Sequence, residues 1–284
     1  MNVAYIVAAH RDLRQLERLL RRLAGDGTPV VVHVDTQVGQ EEYASFRRRS
    51  EDIDVHHLDR HRGFWGGFGV VRAALKGIRH LVDTGTRFDY AALLSGQDYP
   101  LVSRAALDAE LQRAERRSFM THFRLPFEGW GPRGGLDRVE RWHLVSHVAL
   151  HVRLPRKRQF PGGLTPYGGG RPWVLEREAV QYIDDFVRAE PSFVRFFEHV
   201  LHPDELFFQT ILLNSPLAET IVDDHRQYVK WRGGASPAIL TLADLDDLLA
   251  SRCLFARKFD HAVDEDILDR LDEHLEVARD VAAR

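Results

Sequence analysis

The chain has 284 residues, 44% hydrophobic and 29% charged, enough for one large or two small soluble domains with a sizeable core. Its formal net charge of −3 argues against a general nucleic-acid binder. The single cysteine, Cys253, excludes an internal disulfide and points to a reducing compartment, and no apolar run approaches the length of a membrane span.

Val3 to Ala8 is a short apolar run with β-branched residues, as expected of a buried strand. Leu13, Leu16, Leu20 and Leu23 mark one face of a helix, with Gly25 near its end. Val30 to Val34 is a second buried strand that ends at Asp35. Strand, helix, strand in this order predicts a parallel sheet with a right-handed crossover, and ligands collect at the carboxyl ends of such strands. His10 and Asp35 fall just past two of those ends. An acid there can hold a ribose or a base; a plain loop Asp and a plain loop His explain the pattern equally well.

Gly63-Phe64-Trp65-Gly66-Gly67 precedes a helix whose face is Val70, Ala74, Ile78 and Leu81. Glycines before a helix can let a ligand approach backbone N–H groups, although this is not a GxGxxG pattern. Tyr90 to Leu94 is a third buried strand, ending in Ser95-Gly96-Gln97-Asp98-Tyr99-Pro100. A polar turn carrying Asp98 at the end of a central strand suits a binding site, or is simply a turn. Residues 105–117 read as helix and 118–122 as strand. From 124 to 172 the chain turns rich in Gly, Pro, Arg and Trp, as in a functional or mobile loop. Its basic run, Arg153, Arg156, Lys157 and Arg158, could meet a phosphate or an acidic acceptor, or could be a solvated face. Trp173-Val174-Leu175 is expected to open a helix-bearing segment reaching about Arg188.

The most suggestive stretch is His202-Pro203-Asp204-Glu205-Leu206-Phe207-Phe208-Gln209-Thr210. Pro203 suits the first turn of a helix, and Asp204 and Glu205 then sit where the helix dipole favours negative charge. A carboxylate emerging there from an apolar wall can be partly desolvated and become a better base. An acidic first turn on an ordinary amphipathic helix is the plainer alternative. Ile221 and Val222 suggest a late strand. Ser236-Pro237 precedes a helix near Leu242 to Leu249. In Leu254-Phe255-Ala256-Arg257-Lys258-Phe259 two cations stand between apolar residues and need a counter-charge. A diphosphate would supply it, as would a carboxylate such as Asp260 or Glu265. A last amphipathic helix carries Val263, Ile267, Leu271 and Leu275 on one face.

Together these pieces resemble the core-2/I-branching glycosyltransferase family, which includes the peptide O-xylosyltransferases. The matching runs are Ala4 to His10, His33-Val34-Asp35, Trp65-Gly66-Gly67, Leu94 to Pro100, Pro203 to Phe208, Ser236-Pro237 and Phe255 to Phe259. They span nearly the whole chain in the family's order, and the last two look closer to the xylosyltransferase branch. The resemblance implies an α/β chain of GT-A type, with a Rossmann-like, mostly parallel sheet flanked by helices. It implies one catalytic domain over 1–284: a nucleotide-binding half at 1–122, an acceptor and catalytic half at 123–260, and a C-terminal helix at 261–284.

It further implies inverting transfer of a sugar, xylose or N-acetylglucosamine, from a UDP-sugar to a hydroxyl of a glycan, glycolipid or protein. Glu205 falls at the catalytic base. Arg257 and Lys258 fall at the donor diphosphate. Ala8, His10, Asp35, Gly63, Phe64, Trp65, Asp98, Asp204 and Ser236 fall on the UDP-sugar side, and Trp173 on the acceptor side. The family looks metal-independent, so no metal or other cofactor is expected. Asp52-Ile53-Asp54 and Asp244-Leu245-Asp246 spell DxD but fall in a loop and a predicted helix. The eukaryotic members are disulfide-bonded Golgi proteins with a membrane anchor. One cysteine and no anchor here suggest a bacterial, cytoplasmic version, able to touch the inner face of a membrane peripherally. Ala235 and Ala238 offer no further basic residue after the Ser-Pro position. Residues 124–172 are the least family-like, which favours a glycan or glycolipid acceptor over a protein. A catalytically silent sugar- or nucleotide-binding protein of the same fold is the alternative.

Overall fold

A computed structural model describes residues 1–25, 27–145, 151–233 and 236–282. In chain order the first half runs β1 (Val3–Ala9), α1 (Leu13–Leu23), β2 (Val30–Val34), α2 (Gln40–Arg49), β3 (His56–His57), α3 (Gly69–Asp83), β4 (Tyr90–Ser95), β5 (Asp98–Pro100), α4 (Arg104–Arg113) and β6 (Ser118–Phe119). Then come β7 (Phe123–Arg124), α5 (Leu136–Val139), β8 (Arg141–Val145), β9 (His151–Lys157), β10 (Tyr167–Gly168), β11 (Trp173–Glu176), α6 (Arg177–Ala189), α7 (Pro191–Phe197) and α8 (Phe207–Leu213). The chain closes with β12 (Ile221–Val222), β13 (Gln227–Val229), α9 (Leu245–Ala250), β14 (Phe255–Arg257) and α10 (Asp266–Ala282).

Seven strands form the central sheet in the order β12-β6-β11-β4-β1-β2-β3. Only β11 runs antiparallel to its neighbours, so the sheet is mostly parallel and Rossmann-like, as expected. The strand alternation sends Val3, Tyr5, Val7 and Ala9 to one face and Ala4 and Ile6 to the other. The first face packs on α1, α2, α4, α9 and α10; the second packs on α3, α6, α7 and α8. Asp12 caps α1 by accepting from the Gln15 N–H at 3.1 Å. Helix α3 lies close on β1 because residue 77 has no side chain: a Cβ there would stand 2.6 Å from Ile6 Cγ2.

A second, three-stranded sheet, β13-β14-β5, abuts the end of β4. The polar turn after β4 therefore leads directly into a strand, and Asp98 lies on that strand rather than in a loop. Other expectations shift for local reasons. Helix α4 is shorter than 105–117, and β6 has two residues where five were expected. Trp173 to Leu175 are strand, and the helix begins only at Arg177. Pro203 to Glu205 form a 3-10 turn of their own; the helix behind them starts at Phe207. Ile267, Leu271 and Leu275 are buried in α10, but Val263 precedes that helix and is exposed. Residues 124–172 are not a bare loop: they hold α5, the β8–β9 hairpin, and a β10 strand that pairs with β7. Among the described residues no helix is long and apolar enough to cross a membrane.

Candidate functional site

A cavity of about 500 Å³ opens at the carboxyl ends of β1, β2 and β4, a volume suited to a nucleotide-sized ligand. Its wall collects eleven of the sequence candidates: Ala8, His10, Asp35, Gly63, Phe64, Trp65, Asp204, Glu205, Ser236, Arg257 and Lys258. They come from separate strand ends and from three loops, so the sheet is what assembles them. Neither DxD run reaches this wall. Asp52 pairs with Arg21 on the surface, and Asp244 is buried, caps its own turn and pairs with Lys230 at 2.6 Å.

The β1–β2 side is held by Asp35. Its two carboxylate oxygens accept from the N–H groups of Gln37 and Gly63, each at 2.7 Å. Asp35 thereby fixes the 63–67 loop; each oxygen keeps a second lone pair for a ligand hydroxyl. Residue 63 is tightly placed: a Cβ there would meet Asp35 Oδ2 at 3.0 Å and the backbone of Gly69 at 3.4 Å. Trp65 stands 78% exposed at the mouth, its ring edge-on to His202 at 4.5 Å. Burial holds His10 below its usual pKa, helped by Arg171 and Arg11, so it is neutral at pH 7. His33 at the back of the wall is pushed down to about 3, first by burial and then by His61, whose N–H it accepts at 3.1 Å.

Two sequence candidates stand elsewhere. Asp98 is fully buried behind the wall and takes hydrogen bonds from the Ser95 N–H at 2.8 Å and hydroxyl at 2.6 Å. It lies across the strand pair from Arg257, 3.3 Å from its Nε; the charges pair, but the alignment gives Nε no hydrogen bond. Asp98 therefore supports Arg257 and is not part of the cavity wall. Trp173 is buried in the sheet and packs on Phe208, which makes it a core residue rather than an acceptor contact.

The late cation pair is where the sequence put it. Burial pushes Arg257 down to about 10, as does Arg171, against the opposing pull of Asp98 and Asp204; it remains cationic at pH 7. Burial also lowers Lys258, as do Arg11 and Arg257. The carboxylate of Asp260 is taken by Arg11, and among the described residues no carboxylate comes within ion-pair distance of Lys258. Asp98 therefore gives Arg257 a carboxylate at ion-pair distance, while Asp260 acts on Lys258 only through space.

Glu205 is partly withdrawn from solvent and is also ion-paired. Its side chain is 35% exposed, and Oε2 accepts from Arg138 Nη1 at 2.6 Å. Arg138 in turn lies over the Trp130 ring at 3.7 Å, which fixes the guanidinium. Among the described residues Oε1 has no protein partner, so one oxygen remains for a hydroxyl. The turn carrying Glu205 is tied on both sides. The His202 N–H donates to Gly66 O at 2.9 Å, and the Gly169 N–H donates to Glu205 O at 2.9 Å.

Sequence reasoning gave no site role to several wall residues: His33 and His202, which stand in runs it singled out, and Gln37, Arg171, His225 and Trp231. The one available signal for Arg171 was the Gly168-Gly169-Gly170 run before it. A Cβ at Gly169 would stand 1.8 Å from Thr121 O, so only glycine lets that segment pass.

Residues 3–248 match the family model described as "Branch: Core-2/I-Branching enzyme". The chain is 28% identical to Xylosyltransferase 2 of Canis lupus familiaris over 299 residues, which is 97% of this chain and 34% of the relative. Identity to Xylosyltransferase 2 of Homo sapiens is 28%, with the same coverage. Xylosyltransferase 1 of Rattus norvegicus is 26% identical over 300 residues, 97% of this chain and 35% of the relative. The chain thus spans about a third of the length of these relatives.

Proposed function

This chain belongs to the core-2/I-branching enzyme family, whose fold is of GT-A type, and from that premise we propose that it is an inverting UDP-sugar-dependent glycosyltransferase. The observation that carries the proposal is the meeting, in one cavity, of Glu205 with Arg257 and Lys258. In this reading an acceptor hydroxyl attacks the anomeric carbon of the donor. Glu205 takes the hydroxyl proton on Oε1, the bond to the diphosphate breaks, and UDP leaves with the bonding pair. The two cations stabilise the charge that develops on the leaving group, the role a metal plays elsewhere. Arg138 acts as a positioning residue: its ion pair keeps the Glu205 carboxylate aimed. Asp35 and the 63–67 loop would take the nucleoside, with Trp65 closing over it.

The names of the relatives favour xylose as the donor sugar, with N-acetylglucosamine next, and a glycan, glycolipid or protein hydroxyl as acceptor. Metal independence is part of the proposal. It is supported by the place of the two cations in the wall and by the engagement of Asp52 and Asp244 in ion pairs outside it.

A thermal-shift panel of UDP-sugars, with and without EDTA, tests this directly. Stabilisation by UDP-xylose that survives EDTA is the expected result. No UDP-sugar response, or a response abolished by EDTA, would overturn the donor site as drawn. Binding without turnover of any donor, even to slow hydrolysis, would instead mark a silent binding protein of this fold. Lys258→Ala should weaken UDP by about 10-fold, the worth of one charge-assisted hydrogen bond, and leave uridine nearly unchanged.

A further inference from the structure

Arg171 lines the same cavity but has had no role so far. It follows the glycine run and precedes β11, which is antiparallel to β4 with Trp173 opposite Leu93. The chain therefore delivers Arg171 to the carboxyl end of β4, beside the strand pair that carries Asp98 and Arg257. The segment before it is firmly held. The Gly170 N–H donates to Thr121 Oγ1 at 2.7 Å, and Gly170 O accepts from Gln209 Nε2 at 2.8 Å.

The guanidinium itself is a different matter. Among the described residues it makes no ion pair and no hydrogen bond, and its Nη2 is buried without a partner. A buried donor with nothing to bond is costly and uncommon, and it marks a place made for something else. The surroundings specify the charge of that something. Arg171 adds to the burial that holds down His10, Arg257 and Lys258, so the cations here repel one another across one small space. Of the acids nearby, Asp98 is engaged by Ser95 and Arg257, Asp260 by Arg11 and Glu205 by Arg138, while Asp204 on the wall acts on Arg257 through space.

We propose that Arg171 is a third cation of the diphosphate site, closing it from the side of the Glu205 turn while Arg257 and Lys258 hold it from the other. The proposal rests on the donor-site reading above and extends it to a residue outside the late cation pair. A planar guanidinium suits the task because two of its N–H groups can grip two oxygens of one phosphate. Because the Arg171 segment is bonded to the Glu205 turn through Gly169, the same loop would set the distance from leaving group to base.

The test is isothermal titration of UDP and uridine, in EDTA, against the wild type, Arg171→Met and Lys258→Ala, with melting temperatures of each free protein. Arg171→Met keeps the apolar stem and removes the charge. The expected result is UDP weakened about 10-fold or more with uridine within about 2-fold. The free variant should melt no lower than the wild type, since an unpaired cation has been removed from among its like. A variant that melts lower and loses UDP and uridine alike would make Arg171 a structural residue and overturn the proposal. An unchanged UDP-to-uridine ratio would also overturn it. If Lys258→Ala shifts that ratio and Arg171→Met does not, this inference alone fails. If the wild type does not bind UDP, the donor-site reading fails with it. One arm separates phosphate from sugar. Should Arg171→Met spare UDP and UDP-xylose but weaken UDP-glucuronate, the guanidinium reads a sugar carboxylate, and its assignment to the diphosphate is wrong.

Discussion

The two sides of the cavity are built by different means. The β1–β2 side is made from sheet: Ala8, His10 and Asp35 sit at strand ends whose registers are fixed by parallel pairing, and Asp35 grips the next loop through two backbone N–H groups. The Glu205 side is made from turns. Glu205 rides on a three-residue 3-10 turn, and its carboxylate is held by an arginine 67 residues earlier that rests on a tryptophan ring. Strand ends hold a ligand of constant shape well, because a one-residue slip would invert every side chain. Turns joined by side-chain contacts can be reshaped without disturbing the sheet. A transferase that keeps one nucleotide while acceptors differ would put the nucleotide on the first and the acceptor on the second.

That contrast can be broken in four places, from the largest expected effect down. Glu205→Gln should lower turnover by about 10²-fold or more, the scale of general-base catalysis, while UDP binds as before. Titration beside steady-state rates decides it, and wild-type turnover would remove Glu205 from the mechanism. On the sheet side, Gly77→Ala drives a methyl onto Ile6 and should cost about 2 kcal/mol of stability by overpacking. Denaturant unfolding measures this, with kcat unchanged at a temperature where the variant stays folded.

Arg138→Met should reduce kcat by about 10-fold through misplacement of Glu205, with UDP affinity preserved. Equal losses in UDP affinity and kcat would mean that the two sides are not separable. The smallest effect is a pH dependence. Burial holds His33 at about 3, below its unfolded value near 6.5, so the unfolded chain takes up the proton first. Well above 6.5 His33 contributes almost no slope, and at 6.5 the slope is half its full value. As pH falls below it, stability falls, by under about 1 kcal/mol at pH 6. His33→Asn should flatten the melting temperature between pH 7 and pH 6; an unchanged slope would put the titration on another group.

The same contrast governs what could be read in advance. Short apolar runs and helical patterns located β1, β2, β4, α1 and α3, and with them His10 and Asp35 just past two strand ends, because strand ends follow from local hydrophobicity, whereas Ala8 and Gly63 came from the family resemblance. Trp173 was misread because an aromatic run after glycine and proline fits a helix start, a loop contact or a strand equally. Its burial between β4 and β6 is decided by pairing with distant strands. The ion pair of Glu205 with Arg138, and the empty-handed guanidinium of Arg171, depend on contacts across tens of residues that no periodicity records. Asp98 was expected to meet the UDP-sugar but lies buried behind Arg257, since sequence cannot tell a wall from what stands behind it.

The alternation of β1 has a last consequence. Tyr5 and Val7 belong to one apolar layer and Ala4 and Ile6 to the other, and β4 divides in the same way, with Ala92 and Leu94 facing one layer and Ala91 and Leu93 the other. Neither layer owns a sheet of its own, so neither can come apart and leave its partner a surface to rest on. The two layers should therefore melt as one cooperative unit, with the calorimetric enthalpy matching the van't Hoff value in a single endotherm. Two resolved endotherms would show that the shared strands do not bind the two layers into one.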